Sequence, residues 1–440
     1  MSSSSEKPVS PVSVQRMSEA HDPDGAYARA LRRLLSVTSS PRFGLERMAD
    51  LLHRLGDPQH RFAALHVAGT NGKGSTCAFL DAALAELGIA RGLSTSPHLS
   101  SARERIRLAG ELISVADFVE LEKDIHTAAS GMMDAPTFFE RMTAMAFLAF
   151  ATRGVEIAVV EVGLGGRLDA TNLVRPVACG ITRLGLDHQQ FLGHRLVDIA
   201  GEKAGIMKAD VPARSVAQVP EAMEVLHKCA RTTRASFRAV DDSERHEVSA
   251  LTLRMAGEYQ TENAALALSM LRAAKLDTDK AGTRLGLCRA FWPGRFENVP
   301  GHPHVWLDGA HNPAAAGVLV RALSEDARTR NRPVYGMIGM TEGHEAKGFA
   351  QALRALPLRQ VRAVRARAPR SVPATGLAAA LRQAGINAAA SPDWQEALLQ
   401  MRAEAEREDG IVLVTGSLYL VGEVRAALME MPADPELPEF

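Results

Sequence analysis

The stretch FAALHVAGTNGKGST (residues 62–76) decides the fold of this chain. Its apolar first half, 62–69, predicts a short buried strand, and the glycine-rich turn after it leads into a helix predicted over Ser75–Leu87. The next segment, IARGLST (89–95), predicts a second strand. A strand, a helix and a second strand in this order form a crossover between parallel strands. We therefore predict an α/β fold that begins with a mostly parallel sheet.

The glycine-rich turn has the composition of a phosphate-binding loop. Backbone N–H groups at a helix start bind phosphate oxygens, a lysine adds a positive charge, and a nearby hydroxyl can assist Mg²⁺. The spacing departs from the common GxxxxGK[ST] pattern, because Val67 occupies the first glycine position and Gly74 separates Lys73 from Ser75. A plain glycine-rich turn is the alternative interpretation. We predict a variant loop that binds the phosphates of ATP through Thr70, Asn71, Gly72, Lys73, Gly74 and Ser75.

The chain beyond this unit divides near residue 297. The run 155–163 is apolar on both faces, as a central parallel strand must be, whereas 292–304 is dense in proline and glycine. Strands and helices then alternate again to the end. We predict a P-loop ATPase-like domain and a smaller Rossmann-like α/β domain. The predicted bounds are a disordered tail over 1–22, the first domain over 23–297, the second over 298–432 and a tail over 433–440.

The composition excludes several classes of protein. Lys+Arg and Asp+Glu both number 51, so the charge gives no reason to expect nucleic acid or an anionic membrane as a partner. Four scattered cysteines form neither a disulfide framework nor a zinc motif. No segment reaches the roughly 18–20 apolar residues of a membrane span. We expect a cytoplasmic protein.

Three polar residues follow the predicted strands and suit a metal site. Glu161 ends the strand over 155–163, at the edge where parallel sheets bind their ligands. Its carboxylate, the Ser96 hydroxyl and the His188 imidazole are candidate Mg²⁺ ligands beside ATP phosphates, although imidazole is an unusual ligand for this ion. Glu161 could instead cap the loop that follows it. Without further information these roles stay open.

Several motifs together resemble one family. HVAGTNGKGST, SPHL (96–99), GLGGRLDATN (163–172) and DGAHNP (308–313) are similar to those of the folylpolyglutamate synthase/dihydrofolate synthase branch of the Mur ligases, and the likeness spans about residues 25 to 425. It implies a monomeric ATP-dependent ligase that forms an acyl phosphate on dihydropteroate or a reduced folate and joins it to L-glutamate. A single-activity folylpolyglutamate synthase is an alternative, and another Mur-type amino-acid ligase or an ATP-binding regulator is a weaker one.

The resemblance also implies roles for residues at matching positions. Lys73, Lys203 and His188 would be catalytic, with Lys203 carboxylated on its side chain and His188 holding the second of two Mg²⁺ ions; an ion pair of Lys203 with Glu202 is the alternative. The remaining matches fall into two sets. Asn263, Arg295, Asp308 and His311 would contact ATP, and Thr137, Phe138, Phe139, Glu140, Leu168, Asp169 and Ala170 would line the pteroate pocket.

Some positions leave the likeness incomplete or ambiguous. GMIGMTE (336–342) replaces an acid–lysine–acid element that is frequent in the family, so the residues that bind glutamate stay unassigned. As bare sequence, Phe138 and Phe139 suit a helix core, and we expect at least one of them there. Arg103 and Arg105 either contact a substrate anion or lie on a solvated loop.

Overall fold

The computed structural model describes residues 25–37, 42–342, 346–368, 371–431 and 433–434. The larger of its two sheets is built around the strand that precedes the phosphate loop. Its strands are β1 (Ala63–Ala68), β2 (Arg91–Ser94), β3 (Ile106–Leu108), β4 (Glu111–Leu112), β5 (Ile157–Glu161), β6 (Pro176–Ile181), β7 (Pro212–Ser215) and β8 (Ser236–Ala239).

These strands lie in the order β4-β3-β2-β5-β1-β6-β7-β8. All neighbours pair in parallel except β2 with β3 and β3 with β4. Strand β1 is central, between β5 and β6, and helices cover both faces of the sheet, which explains the continuous apolar runs of both β1 and β5. The parallel sheet predicted from residues 62–95 is confirmed.

Helices surround this sheet in two layers. One layer packs on the face that carries Ala64, and α3, α10 and α11 pack on the face that carries Leu65. The first layer consists of α1, α2, α4 and α5. The helices are α1 (Ala26–Leu35), α2 (Glu46–Arg54), α3 (Lys73–Glu86), α4 (Val115–Ser130), α5 (Phe138–Thr152), α6 (Gln189–Leu192), α7 (Leu196–Ala204), α8 (Pro220–Thr233), α9 (Asp242–Ser249), α10 (Glu258–Ala273) and α11 (Lys280–Arg289).

The second sheet forms the smaller unit that the strand–helix alternation predicts. Its order is β13-β12-β11-β14-β10-β9, parallel except for β9 against β10. Helices again cover both faces. Its elements are β9 (Glu297–Asn298), β10 (Val305–Leu307), α12 (Pro313–Glu325), β11 (Val334–Ile338), α13 (Ala346–Leu353), β12 (Leu358–Ala363), α14 (Ala374–Gln383), β13 (Ala388–Ala390), α15 (Trp394–Arg407), β14 (Ile411–Thr415) and α16 (Leu418–Leu428).

The predicted domain bounds stay predictions. The boundary at 297 falls within the two residues of β9, and the tail predicted over 1–22 lies outside the described residues. Of the tail predicted over 433–440, residues 433–434 are described. The carboxylate of Asp434 accepts hydrogen bonds from the Tyr27 hydroxyl at 2.6 Å and the Ala102 N–H at 2.8 Å, so this residue is fixed to the first unit.

The two units meet at the loop that follows β2. Gly422 of α16 lies so close to the carbonyl oxygen of Leu99 that a Cβ atom there would overlap it. Gly294 lies near Leu99 as well, in the segment that leads into β9. The SPHL loop therefore touches both units. None of the described helices is long and apolar enough to cross a membrane.

Candidate active site between the two units

The phosphate loop Gly69–Thr76 joins β1 to α3, at the carboxyl end of the central strand. Gly72, with a φ of 96°, precedes the first residue of α3. A Cβ atom at Gly72 would overlap the Asn263 side chain, and one at Gly74 would lie 2.7 Å from Nε1 of Trp292. The extra glycine between Lys73 and Ser75 is therefore explained by the indole ring that lies against the loop.

Several groups of the loop are already engaged by the neighbouring segment after β6. The N–H groups of Thr70 and Asn71 donate to the Arg183 carbonyl at 3.0 and 3.1 Å, and the Thr70 hydroxyl donates to the Gly185 carbonyl at 3.1 Å. The donors best suited to phosphate are therefore the N–H groups of the first turn of α3, which have no carbonyl partner one turn earlier.

Two lysine amines share one backbone carbonyl in the loop. Nζ of Lys73 donates to the Gly69 and Thr70 carbonyls at 3.1 and 3.2 Å, and Nζ of Lys203 donates to the Gly69 carbonyl at 2.8 Å. Lys203 is 5% exposed. Burial, and then the charge of Lys73, lower the pKa of Lys203 to about 7. Glu202, the alternative partner of Lys203, instead pairs with Arg167 at 2.8 Å.

The carboxylate of Glu161 stands at the carboxyl end of β5, buried, and accepts a hydrogen bond from the Ser96 N–H at 3.1 Å. Burial raises its pKa, which the charges of Lys73, Arg295 and Arg105 oppose. Cations from both units therefore act on one buried acid. Glu161 lines a cleft between the units, together with Gly74, Ser96, Trp292, Arg295 and Leu418.

The predicted metal ligands are thus brought together in part. Ser96 and Glu161 line the same cleft and offer hard oxygen donors, the type that Mg²⁺ takes alongside phosphate oxygens and water. His188 is exposed just before α6, with a φ of 50°, and is not among the residues that line this cleft. Within the described ranges, no three His, Cys, Asp or Glu side chains form a metal cluster. The residues therefore fit one Mg²⁺ held together with phosphate.

The second unit contributes the turn around Arg295 and the loop after β10. The Asp308 carboxylate accepts the N–H groups of Phe296 and Ala310, both at 2.8 Å, so this predicted ATP contact also ties the two segments together. Burial raises the pKa of Asp308, against the charge of Arg295. Arg295 lies against Gly309, and Nδ1 of His311 lies 2.8 Å from the Gly309 carbonyl oxygen.

Two side-chain contacts connect the phosphate loop to other elements. The Asn312 amide of the second unit donates to the Asn71 side chain at 3.3 Å, a contact that was not predicted. Gln260 of α10 donates to the Ser75 hydroxyl at 3.2 Å and accepts a hydrogen bond from the predicted ATP residue Asn263 at 3.0 Å. The loop is therefore held from both units.

The residues expected to line a pteroate pocket lie at the start of α5 and in the loop after β5. Thr137 and Glu140 form a capping box at the start of α5, and Nε of Arg47 donates to the Glu140 carboxylate at 2.8 Å. Asp169 is buried and accepts the N–H groups of Leu164 and Thr171 at 2.8 and 3.0 Å. The polar groups of Thr137, Glu140 and Asp169 are thus engaged in bonds within the protein, and their place in a pteroate pocket stays a prediction.

The apolar members of the same predicted set are buried or half-buried. Phe138 belongs to the hydrophobic core, as expected for at least one of the two phenylalanines, and Phe139 is half-buried against the backbone of Gly163. Leu168 is also half-buried, and Ala170 is buried. Phe43 and Phe191, which the sequence did not single out, form an exposed edge-to-face pair whose ring centres lie 6.2 Å apart.

A phosphate-binding loop, a buried carboxylate that accepts the Ser96 N–H and a second α/β unit facing them indicate a two-domain ATP-dependent ligase of the Mur type. The family described as "Mur ligase, glutamate ligase domain" matches residues 294–418. The chain is 34% identical over 418 residues to the dihydrofolate synthase/folylpolyglutamate synthase of Bacillus subtilis, with 88% of this chain and 95% of that protein covered. This chain belongs to the dihydrofolate synthase/folylpolyglutamate synthase family, which confirms the predicted family and class of enzyme.

Other comparisons agree on the fold. A Haloferax volcanii protein, a probable bifunctional folylpolyglutamate synthase/dihydropteroate synthase, is 36% identical over 412 residues; the match covers 87% of this chain and 48% of that protein, so this chain spans about half its length. The Mycobacterium tuberculosis folylpolyglutamate synthase complexed with ADP and AMPPCP matches with a TM-score of 0.84, 30% identity and coverage of 93% and 99%.

A second solved structure carries a metal. The Yersinia pestis bifunctional folylpolyglutamate synthase/dihydrofolate synthase, complexed with AMPPNP and a manganese ion, matches with a TM-score of 0.81, 30% identity and coverage of 92% of this chain and 98% of that one. These likenesses confirm the predicted two-domain α/β architecture.

Proposed function

We propose that this chain adds L-glutamate to dihydropteroate, giving dihydrofolate, and to reduced folates, giving polyglutamates. One observation carries the proposal: the cleft between the units joins Gly74 of the phosphate loop, the Ser96–Glu161 pair and Arg295 of the second unit. Arg105 on the loop after β2 acts on Glu161 and also lies over the ring of Phe138, so the predicted pteroate wall adjoins this cleft.

The proposed reaction has two steps, and this chain's residues position the reactants in both. In the first, a substrate carboxylate oxygen attacks the γ-phosphorus of ATP, and the bond to the β–γ bridging oxygen breaks. The first turn of α3, Lys73 and Arg295 would bind the phosphates and stabilise the charge that is transferred. Ser96 and Glu161 would hold Mg²⁺, which neutralises phosphate charge when bound.

In the second step the amine of L-glutamate attacks the acyl carbon, and inorganic phosphate leaves with the electrons of the broken C–O bond. Closure of the two units would keep water from the acyl phosphate. The contact between Asn312 and Asn71 supports such a closed arrangement, because it joins the second unit directly to the phosphate loop.

We further propose that the side chain of Lys203 is carboxylated. The neutral amine reacts with CO₂, forming an N–C bond and releasing a proton, and a pKa of about 7 supplies a substantial neutral fraction near neutral pH. The product is an anion beside Lys73. His188 as ligand of a second Mg²⁺ remains part of the proposal, with support from the family resemblance alone.

We extend the proposal to a monomer in the cytoplasm. Cys77, Cys179, Cys229 and Cys288 all carry free thiols, which suits a reducing compartment. Gel filtration with light scattering tests the oligomeric state: a mass near 47.2 kDa is expected, and twice that value would contradict a monomer.

The test is phosphate release by purified protein with ATP, Mg²⁺, L-glutamate and either dihydropteroate or tetrahydrofolate. We expect both pterins to stimulate release, and omission of glutamate to stop turnover. Stimulation by tetrahydrofolate alone would leave a single-activity folylpolyglutamate synthase, and stimulation by neither would reject the folate assignment. Glu161→Gln should lose activity, whereas Glu156→Gln, at an exposed acid just before β5, is the matched control.

A further inference from the structure

Arg105 ends the short 3-10 helix Ala102–Arg105, between the SPHL loop and β3. Its side chain is half-buried, and Nε donates to Nδ1 of His98 at 2.8 Å. No carboxylate of the described residues forms an ion pair with it. Two other enclosed guanidinium groups, those of Arg47 and Arg425, pair with Glu140 at 2.8 Å and with Glu297 at 3.0 Å, whereas those of Arg141 and Arg214 bond to backbone carbonyls.

An arginine offers five N–H donors and retains its charge. A partly enclosed guanidinium that bonds to one neutral ring nitrogen has most of its donors available for a ligand. Burial lowers the pKa of Arg105, against the negative charges of Glu161, Glu104 and Asp434. A bound carboxylate would supply two acceptor oxygens in the planar geometry that guanidinium prefers.

The surroundings of Arg105 indicate which anion would bind to its guanidinium group. Its guanidinium carbon lies 5.1 Å from the centre of the Phe138 ring, in the predicted pteroate wall. Its charge also acts on Glu161 in the cleft. Arg105 therefore lies between the aromatic wall and the place where phosphoryl transfer would occur.

The acid substrate has a matching shape. Its flat bicyclic ring is at one end and the carboxylate to be phosphorylated is at the other, beyond a benzoyl group. When the ring lies in the pteroate wall, the carboxylate must reach the γ-phosphate. We infer that Arg105 binds this carboxylate and orients it for attack; the inference rests on the proposed function and assigns a specificity residue within it.

The neighbouring arginines are placed differently. Nε of Arg103 donates to the Ile113 carbonyl at 2.7 Å. Arg107 lines the cleft near the Trp292 ring and donates to the Gly110 carbonyl at 3.3 Å. Of the three, Arg105 is the one that faces Phe138. It belongs to the first unit, on the pteroate side of the cleft, which favours the acid substrate over the incoming glutamate as its ligand.

The loop that carries Arg105 is well fixed. The carboxylate of Glu104 accepts the N–H groups of Leu99, Ser100 and Ser101 at 2.8–2.9 Å, and the Thr95 N–H donates to the Arg105 carbonyl at 3.3 Å. A guanidinium on a loop with this many bonds loses little freedom when a ligand binds, so its position is set before the substrate arrives.

The test compares Arg105→Ala, Arg105→Lys and the matched control Arg103→Ala in steady-state kinetics at saturating ATP and glutamate. Loss of charged hydrogen bonds to a carboxylate should lower kcat/KM for dihydropteroate about 100-fold in Arg105→Ala, and about 10-fold in Arg105→Lys, which keeps the charge without the planar fork. Arg103→Ala should stay within about twofold of wild type. KM for ATP and for glutamate should not change.

A second measurement separates carboxylate recognition from a structural role. Inhibition by the carboxamide analogue of dihydropteroate should be equal in wild type and Arg105→Ala, because the neutral group does not engage the guanidinium. Weakened binding of the carboxamide, a change in KM confined to glutamate, or kinetics of Arg105→Ala equal to those of Arg103→Ala would each overturn the inference while the proposed function stands. No turnover of either pterin by wild type would overturn both.

Discussion

Replacing Lys203 with methionine should abolish activity and stabilise the protein at neutral pH. Methionine keeps the apolar length of the side chain and removes an amine that is 5% exposed. The pKa of this amine falls from 10.5 to about 7 on folding. The unfolded state therefore binds more protons between these values, and the stability of wild type rises with pH there. At and below pH 7, burial of the charge costs on the order of 5 kcal/mol.

The variant lacks this cost, so the difference in unfolding free energy between Lys203→Met and wild type should depend on pH. It should be largest at and below pH 7 and smaller by about 3 kcal/mol at pH 9, at 1.36 kcal/mol per pH unit. The loss of the hydrogen bond to Gly69 opposes the gain by about 1–3 kcal/mol, but that term does not depend on pH.

The assay is urea unfolding of both proteins from pH 6 to 9 in CO₂-free buffer, so that wild type carries a free amine. Subtracting the two curves removes the titration of all other groups. Lys123→Met, at an exposed lysine of α4, serves as a control for the loss of a lysine side chain. A Lys203 difference that is constant with pH would refute the conclusion that this amine is desolvated, whatever its effect on activity.

Three further perturbations test the contacts around the cleft. Gly74→Ala should weaken ATP binding about 10-fold in calorimetry, because a Cβ would lie 2.7 Å from Nε1 of Trp292, and Trp292→Phe should partly restore it; unchanged affinity would contradict the proposed packing. Asp434→Ala should lower the unfolding free energy by about 1–3 kcal/mol, and Tyr27→Phe by about 1 kcal/mol; equal stability in urea would exclude this tie between the chain end and the first unit. Glu104→Gln should lower kcat by a larger factor than it raises the dissociation constant for ATP, because Glu104 fixes the loop that carries Arg105. A loss confined to ATP binding would argue against this role of Glu104.

The parts of the site that could be predicted from the sequence are those whose residues follow one another along the chain. An apolar run followed by glycines and Lys73 predicts a strand, a phosphate loop and a helix. The strand that is apolar on both faces predicts that Glu161 lies at the carboxyl edge of the sheet. Both follow from local pattern. A capping box was also visible in Thr137 and Glu140, and it indicates a helix start more directly than a ligand contact.

The remaining contacts depend on how distant segments approach each other. Asn312 meets Asn71 across 241 positions, and no local pattern indicates that pair. The alternative ion pair of Lys203 with Glu202 fails for a local reason that sequence does contain: adjacent residues of a helix point in different directions. Glu202 faces Arg167, and Lys203 turns inward to the loop.

The inward turn of Lys203 creates an electrostatic conflict that the proposed chemistry would resolve. A single carbonyl, that of Gly69, accepts from two amines, and the charge of Lys73 is one of the causes that lower the pKa of Lys203. Because Lys73 is close, a positive charge on Lys203 is disfavoured, and a larger fraction of the Lys203 amine is neutral and able to react with CO₂. Once carboxylated, Lys203 would attract Lys73 instead of repelling it, and the pair would change from two cations to an ion pair. The phosphate loop therefore favours carboxylation of Lys203. We expect wild type to have a higher unfolding free energy in bicarbonate than in CO₂-free buffer, and the stability of Lys203→Met not to change. An equal response of both proteins in urea unfolding would show that bicarbonate acts elsewhere.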